Sequence, residues 1–238
     1  MRPQPLPLML FAAGFGTRMG ALTATRPKPL VPVLGRPLIN RALDLARTAG
    51  AAPVVANTHY LGQMIADHLA GSGVAISAEP GPILETGGGL KQALPLLGVS
   101  DGGPVMTLNP DAVWRGPNPL ALLQAAWDPT RMDALLLVQD VARVRGRTAG
   151  KADFHLDGTG RLAWAGGVAE GMLYLGAQIL RSGPIAACPE RVFSLHGIWS
   201  EMIAAGRAFG LVYDGDWCDV GSPDGLAEAE AMLGEGPG

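Results

Sequence analysis

An apolar run, Leu6 to Phe11, passes directly into Ala12-Ala13-Gly14-Phe15-Gly16-Thr17-Arg18-Met19-Gly20, so the chain opens as a short strand that ends in a glycine loop. Glycines just beyond a strand let backbone N–H groups approach and cradle phosphate oxygens. Two common forms of such a loop are excluded. A Walker loop closes with Gly-Lys-Ser/Thr, which is missing, and the dinucleotide pattern G-x-G-x-x-G fails because Met19 stands at its third glycine. Further apolar runs, Pro53 to Asn57, Val74 to Glu79, Val105 to Asn109 and Ala134 to Gln139, alternate with helical periodicity. Leu38, Ile39, Ala42, Leu43 and Ala46 repeat at helical spacing, as do Leu61, Met64, Ile65, His68 and Leu69. Such alternation predicts successive βα units on a mainly parallel sheet, an α/β fold.

Beyond about residue 150 the pattern shortens. Asp153 to Leu156 and Arg161 to Ala165 flank an Asp157-Gly158-Thr159-Gly160 turn and predict a hairpin layer beside the sheet. Helices are expected at Gly197 to Ala205 and Pro223 to Leu233, with a frayed Gly-rich tail after them. With 238 residues, 48% of them hydrophobic, the chain can bury a sizeable core, and one domain over 1–238 is expected. A formal net charge of -3 without a Lys/Arg run argues against a nucleic-acid partner. The first apolar run is far short of the roughly 20 residues that span a bilayer, and it lacks a signal-peptide pattern, so no membrane role is expected. Cys188 and Cys218 stand in no metal or disulfide spacing, which fits a reducing cytoplasm.

Chemistry-bearing residues gather where strands end. Arg18 lies in the glycine loop, and Lys28 sits in Arg26-Pro27-Lys28-Pro29-Leu30, where two prolines stiffen the backbone. A lysine held this way loses little entropy on meeting a phosphate, although turn chemistry alone also accounts for the prolines. Val105 to Asn109 continues into Pro110-Asp111, at the carboxyl edge where open α/β sheets bind ligands. Far downstream, Trp217-Cys218-Asp219-Val220-Gly221-Ser222-Pro223 sets a second aspartate before a turn and helix start. Two carboxylates suffice for Mg²⁺ when substrate phosphates and water complete its shell. Each aspartate alone also reads as a turn or helix cap.

Ala12-Ala13-Gly14-Phe15-Gly16-Thr17-Arg18-Met19, Lys28-Pro29-Leu30, Glu85-Thr86-Gly87-Gly88-Gly89, Asn109-Pro110-Asp111 and the Trp217 to Pro223 segment together resemble the sugar-1-phosphate nucleotidyltransferase family. Within it, the chain is most similar to N-acetylmuramate-1-phosphate uridylyltransferases and to mannose-1-phosphate guanylyltransferase-like proteins. The resemblance implies a Rossmann-like sheet flanked by helices with a small β-rich insertion, a nucleotide-binding half of about 1–115 and a sugar-binding half of about 116–233. It implies that Ala12, Ala13, Gly14, Gly16, Thr17, Arg18 and Lys28 meet the nucleoside triphosphate. It further implies that Thr86, Gly87 and Gly88 line the nucleoside, that Asn109 and Glu170 face the sugar phosphate, and that Asp111 and Asp219 hold Mg²⁺. Arg18, Lys28, Asp111 and Asp219 are then the catalytic set.

Two departures from the family pattern stand out. Pro110 replaces the usual flexible residue before the metal carboxylate, and Gly166 to Met172 carries no lysine where many relatives have Glu-Lys-Pro. Arg147 or Lys151 is the candidate substitute. Both departures leave open a non-catalytic nucleotide-sugar sensor; the broken glycine pattern disfavours a nicotinamide oxidoreductase. An already ionised sugar phosphate attacking the α-phosphorus needs no general base, so no histidine is required. His59 has a claim on the sugar and His68 reads as a core residue. Glu79 ends its strand just ahead of the nucleoside segment, so its carboxylate is expected to face the base, where a pure acceptor would suit guanine. The overall likeness favours uridine.

Overall fold

The computed structural model describes residues 5–99, 102–147 and 150–235. After β1 (Leu8–Phe11), a small antiparallel pair of β2 (Pro32–Val33) and β3 (Arg36–Pro37) leads into α1 (Leu38–Thr48). Next come β4 (Val54–Thr58), α2 (Gly62–Leu69), β5 (Ala75–Ala78), α3 (Glu85–Ala93), β6 (Pro104–Leu108), β7 (Ala112–Arg115), α4 (Pro119–Ala126) and β8 (Ala134–Asp140). The second half holds β9 (Phe154–Leu156), β10 (Leu162–Trp164), β11 (Met172–Arg181), α5 (Gly183–Ala187), α6 (Leu195–Ala204), β12 (Ala208–Val212), β13 (Asp216–Asp219) and α7 (Pro223–Gly234). The last three positions of the tail anticipated to fray lie outside the described residues.

One nine-stranded sheet runs in the order β10-β9-β11-β6-β1-β4-β5, with β8 beside β11 and β12 beside β8. β1 is parallel to both β4 and β6, and β4 to β5, as the βα alternation predicts. Side chains alternate across this sheet with period two. Leu8 and Leu10 face a core with Ile39, Leu43 and Ile65, and Met9 faces the opposite core with Val55, Leu90 and Leu136. A third cluster gathers Met19, Val31, Val33, Leu38, Val220 and Met232. Met19, which breaks the dinucleotide pattern, is therefore an apolar anchor that fixes the glycine loop against α7.

The β-rich second half differs from the sequence expectation. The β9–β10 hairpin forms no separate layer but extends the same sheet, joined to β11 through Met172 and Phe154. The ten-residue β11, antiparallel to β6 and β8, was not anticipated at all. Its register shifts between Tyr174 and Gln178, a bulge centred on Gly176 at φ +83°. There the Asn109 N–H donates to the Gly176 carbonyl at 2.8 Å, and a Cβ on residue 176 would lie 2.9 Å from the Asn109 Cβ. Bulges re-aim side chains, and this one turns Tyr174 toward the end of β6.

Candidate active site

The carboxyl ends of β1, β4 and β6 open onto two adjoining cavities that share Asn109 and Asp111. Ala13, Gly14, Asn57, Glu85 and Thr86 wall the first. The second is walled by Arg18, Arg147, Tyr174, Gly176, Trp217 and Asp219. Asp111 thus stands at the seam of the two cavities.

The glycine loop is packed onto the lysine behind it. Gly16, at φ +65°, lies where a Cβ would sit 2.9 Å from the Lys28 Cβ, and the Thr23 hydroxyl donates to the Gly16 carbonyl at 2.9 Å. The flanking prolines do what the sequence suggests: Lys28 to Leu30 form one 3₁₀ turn, and Val31 N–H donates to the Lys28 carbonyl at 2.9 Å. Lys28 is only 8% exposed, and its Nζ lies 2.8 Å from Asp111 Oδ2. Its direction is thereby set toward the seam.

The two aspartates meet through a short ribbon. β7 and β13 pair antiparallel with Asp219 opposite Ala112, and Val220 N–H donates to the Asp111 carbonyl at 2.9 Å. Gly221 keeps the approach open, since a Cβ there would lie 2.7 Å from Asp219 Oδ2 and 2.9 Å from an Arg18 guanidinium nitrogen. Arg18 comes within 3.8 Å of Asp219 Oδ2. Burial first, and the Asp111 charge second, hold the Asp219 carboxyl above the usual carboxylate range, with Lys28, Arg18 and Arg147 opposing. Burial also pushes the neighbouring Cys218 thiol up to about 12, which leaves it an inert packing group. Arg147 reaches the second cavity because its loop runs along β13: Asp219 N–H donates to the Arg145 carbonyl at 3.0 Å. Gly146, at φ +75°, permits this, for a Cβ there would lie 2.0 Å from the Asp219 carbonyl.

Other expected residues are placed differently. Ala12 is buried, its N–H taken by Asn57 Oδ1 at 2.7 Å, and Thr17 opens an exposed 3₁₀ turn. Of Thr86, Gly87 and Gly88, Thr86 alone reaches the cavity wall, and its hydroxyl also accepts the Leu195 N–H at 3.0 Å. The Gly87 and Gly88 N–H groups both donate to the Phe193 carbonyl, and a Cβ on Gly87 would lie 2.4 Å from the Phe193 ring. Their glycine identity serves close packing of α3 on the Arg191 to Phe193 segment. The Glu79 carboxylate, expected to face a base, is engaged within the protein: 4% exposed, it accepts from Asn57 Nδ2 at 2.7 Å and from Leu84 N–H at 2.9 Å. Glu170 lies on an exposed loop away from both cavities, as does Lys151. His59 sits beside the glycine loop and lines neither cavity, with Nε2 2.9 Å from the Gly81 carbonyl and its ring edge-on to Phe15. His68 is exposed, 2.6 Å from Asn40 Oδ1, because the buried stripe of α2 is Ile65 and Leu69.

A model of the MobA-like NTP transferase domain matches residues 8–193. An N-acetylmuramate alpha-1-phosphate uridylyltransferase of Caulobacter vibrioides is 38% identical, over 99% of this chain and 100% of its own. This chain belongs to the MobA-like NTP transferase family. A second N-acetylmuramate alpha-1-phosphate uridylyltransferase, from Neisseria meningitidis, is 35% identical over 95% of this chain and 97% of its own. The structure of a UDP-glucose pyrophosphorylase complexed with UDP-glucose superposes with a TM-score of 0.77 at 16% identity, over 98% of this chain and 100% of that one, so the fold is shared.

In this NTP transferase, Asn57, Glu85 and Tyr174 line the two cavities although the sequence did not single them out as site residues. Asn57 carried a usable signal, a polar residue at the carboxyl end of an apolar strand. Glu85 is legible only in three dimensions, where it adopts φ +60°, a strained backbone for a non-glycine residue on the cavity wall. Replacing Gly87 by Ala is expected to destabilise the fold by about 1–3 kcal/mol through overpacking against Phe193. At about 2–4 °C per kcal/mol for a chain of this size, a melting curve reads it directly, and an unchanged Tm would remove the packing role.

Proposed function

We propose that the protein transfers UMP from UTP to N-acetylmuramate α-1-phosphate, forming the UDP-sugar and pyrophosphate. The observation that carries this reading is the Lys28–Asp111 pair at the seam of the two cavities, with Asp219 and Arg18 on its far side. Triphosphate binds along the glycine loop with its nucleoside toward Thr86 and Asn57. Sugar phosphate enters between Arg147, Tyr174 and Trp217. The sugar phosphate oxygen, already ionised, attacks the α-phosphorus in line with the departing pyrophosphate, so positioning and charge neutralisation by Lys28 and Arg18 dominate. The choice of uracil and of an N-acetylmuramate acceptor follows from likeness to relatives aligned over nearly the whole chain.

Asp111 and Asp219 fit Mg²⁺. They are hard oxygen donors, Asp111 just before β7 and Asp219 at the end of its partner β13, and each carboxylate raises the cost of ionising the other, which a cation would offset. The described residues hold no cluster of three His, Cys, Asp or Glu, so the metal shell would be completed by substrate phosphates and water. When bound, the ion supplies charge neutralisation on the phosphates. Both departures that raised a non-catalytic sensor are met by the geometry: Pro110 still delivers Asp111 to the seam, and Arg147 brings a cation to the second cavity. The test is a matrix of four nucleoside triphosphates against several sugar 1-phosphates, read by pyrophosphate release with Mg²⁺. UTP with N-acetylmuramate α-1-phosphate is expected to give the highest kcat/KM. A GTP preference above about tenfold, about 1.4 kcal/mol in transition-state binding, would overturn the base assignment, and binding without pyrophosphate release would restore the sensor.

A further inference from the structure

Asn57 is 3% exposed, yet it forms part of the wall of the nucleoside cavity. Its carboxamide is gripped from both sides: Oδ1 accepts the Ala12 N–H at 2.7 Å, and Nδ2 donates to Glu79 Oε1 at 2.7 Å. The other Glu79 oxygen accepts the Leu84 N–H at 2.9 Å, so the carboxylate is itself pinned. A backbone N–H can only donate and a carboxylate can only accept, so the amide cannot turn over without setting like against like at both ends. Gly89 completes the enclosure, since a Cβ there would lie 2.9 Å from both Asn57 Nδ2 and Glu79 Oε1.

A primary amide carries two N–H donors and two acceptor lone pairs. One of each is taken, leaving one N–H and one lone pair in an order the protein has fixed. We infer that the locked Asn57 amide reads the base edge and admits nucleotides with an adjacent ring N–H and carbonyl, as in uracil, thymine and guanine, over cytosine and adenine. This rests on the nucleotidyl-transfer reading above and deepens it. The uracil N3–H donates to Asn57 Oδ1 while the carbonyl at position 4 accepts from Nδ2. Cytosine presents the reverse order, an acceptor at N3 and an amino group at position 4, so lone pair meets lone pair and donor meets donor. Flipping the amide would cure the mismatch but would break the contacts to Ala12 and Glu79 together. Glu79 is then a positioning residue, which acts on selectivity without touching the base.

The experiment compares UTP, N3-methyl-UTP and CTP at fixed N-acetylmuramate α-1-phosphate, with binding of each nucleotide to the full chain measured by calorimetry alongside turnover. In the wild-type protein, CTP and N3-methyl-UTP are expected to lose at least ~100-fold in kcat/KM, because a site built to hydrogen-bond an edge strongly rejects the analogue that leaves it unpaired. Glu79→Gln, which puts an amide where a pure acceptor stood, should shrink the UTP-over-CTP ratio by about tenfold or more, through KM more than kcat. Asn57→Ser should bring N3-methyl-UTP to within a few-fold of UTP. Equal use or equal binding of UTP and CTP by the wild-type protein overturns the inference, as does a folded Glu79→Gln protein with its full preference. If Glu79→Gln does not fold, the wild-type comparison with N3-methyl-UTP decides. Nucleotide binding with the stated preference but without pyrophosphate release would sink the enzymatic reading and uphold this one.

Discussion

Replacing Asp219 or Asp111 is expected to lower turnover by at least about 10²–10³-fold, the scale on which a single electrostatic group at a reacting centre acts. The two positions should part company in stability. Asp219 is 8% exposed, and its ionised form is disfavoured by burial and then by Asp111. A carboxyl raised in this way adds to stability while protonated, and that contribution is lost as pH rises through its elevated folded-state pKa. At neutral pH without metal, Asp219→Asn should therefore raise Tm while removing activity. Asp111 instead accepts a 2.8 Å contact from the nearly buried Lys28 ammonium, so Asp111→Ala leaves that cation without its partner and should lower Tm. Added Mg²⁺ should raise the wild-type Tm and leave that of Asp219→Asn nearly unchanged. Activity beside melting curves, with and without Mg²⁺, checks all of this. Near-normal pyrophosphate release from either variant would remove that residue from the proposed metal ligands.

Lys28→Met keeps the length of the side chain and removes its charge, and turnover is expected to fall by about 10²-fold or more. The position is unusually rigid: a 3₁₀ turn between two prolines sets the backbone, and Gly16 packs on the Cβ. That rigidity aims the ammonium at Asp111, and the methionine places an uncharged group there. Arg18 differs, with its side chain 68% exposed and 3.8 Å from Asp219. Arg18→Lys should cost less than Lys28→Met, since water screens an exposed group and only the planar fork is lost. Steady-state kinetics with UTP varied separate the two, and a larger loss at Arg18 than at Lys28 would reverse their assigned importance.

How much of this was legible before folding depends on the range of the interactions involved. β1, β4, β5, β6, β8, α1, α2, α6 and α7 all lie where apolar periodicity puts them, because period and burial are properties of contiguous residues. β11 escaped notice because six consecutive residues from Leu175 to Leu180 are buried on both faces, which erases the alternation that marks a strand, and Gly176 interrupts the run. The catalytic candidates Arg18, Lys28, Asp111 and Asp219 could be nominated one by one from loop and strand-end chemistry. That Lys28 meets Asp111 across 83 positions of sequence is decided by the order of strands in the sheet and by the β7–β13 ribbon. The same holds for Glu79, whose carboxylate looked free for a base and proved to be the clamp on Asn57, and for Arg147, carried into the second cavity beside β13. Local sequence determined which residues carry charge and where the chain turns. Their partners were decided by tertiary packing, because a side chain's direction depends on which distant segment occupies the space beside it.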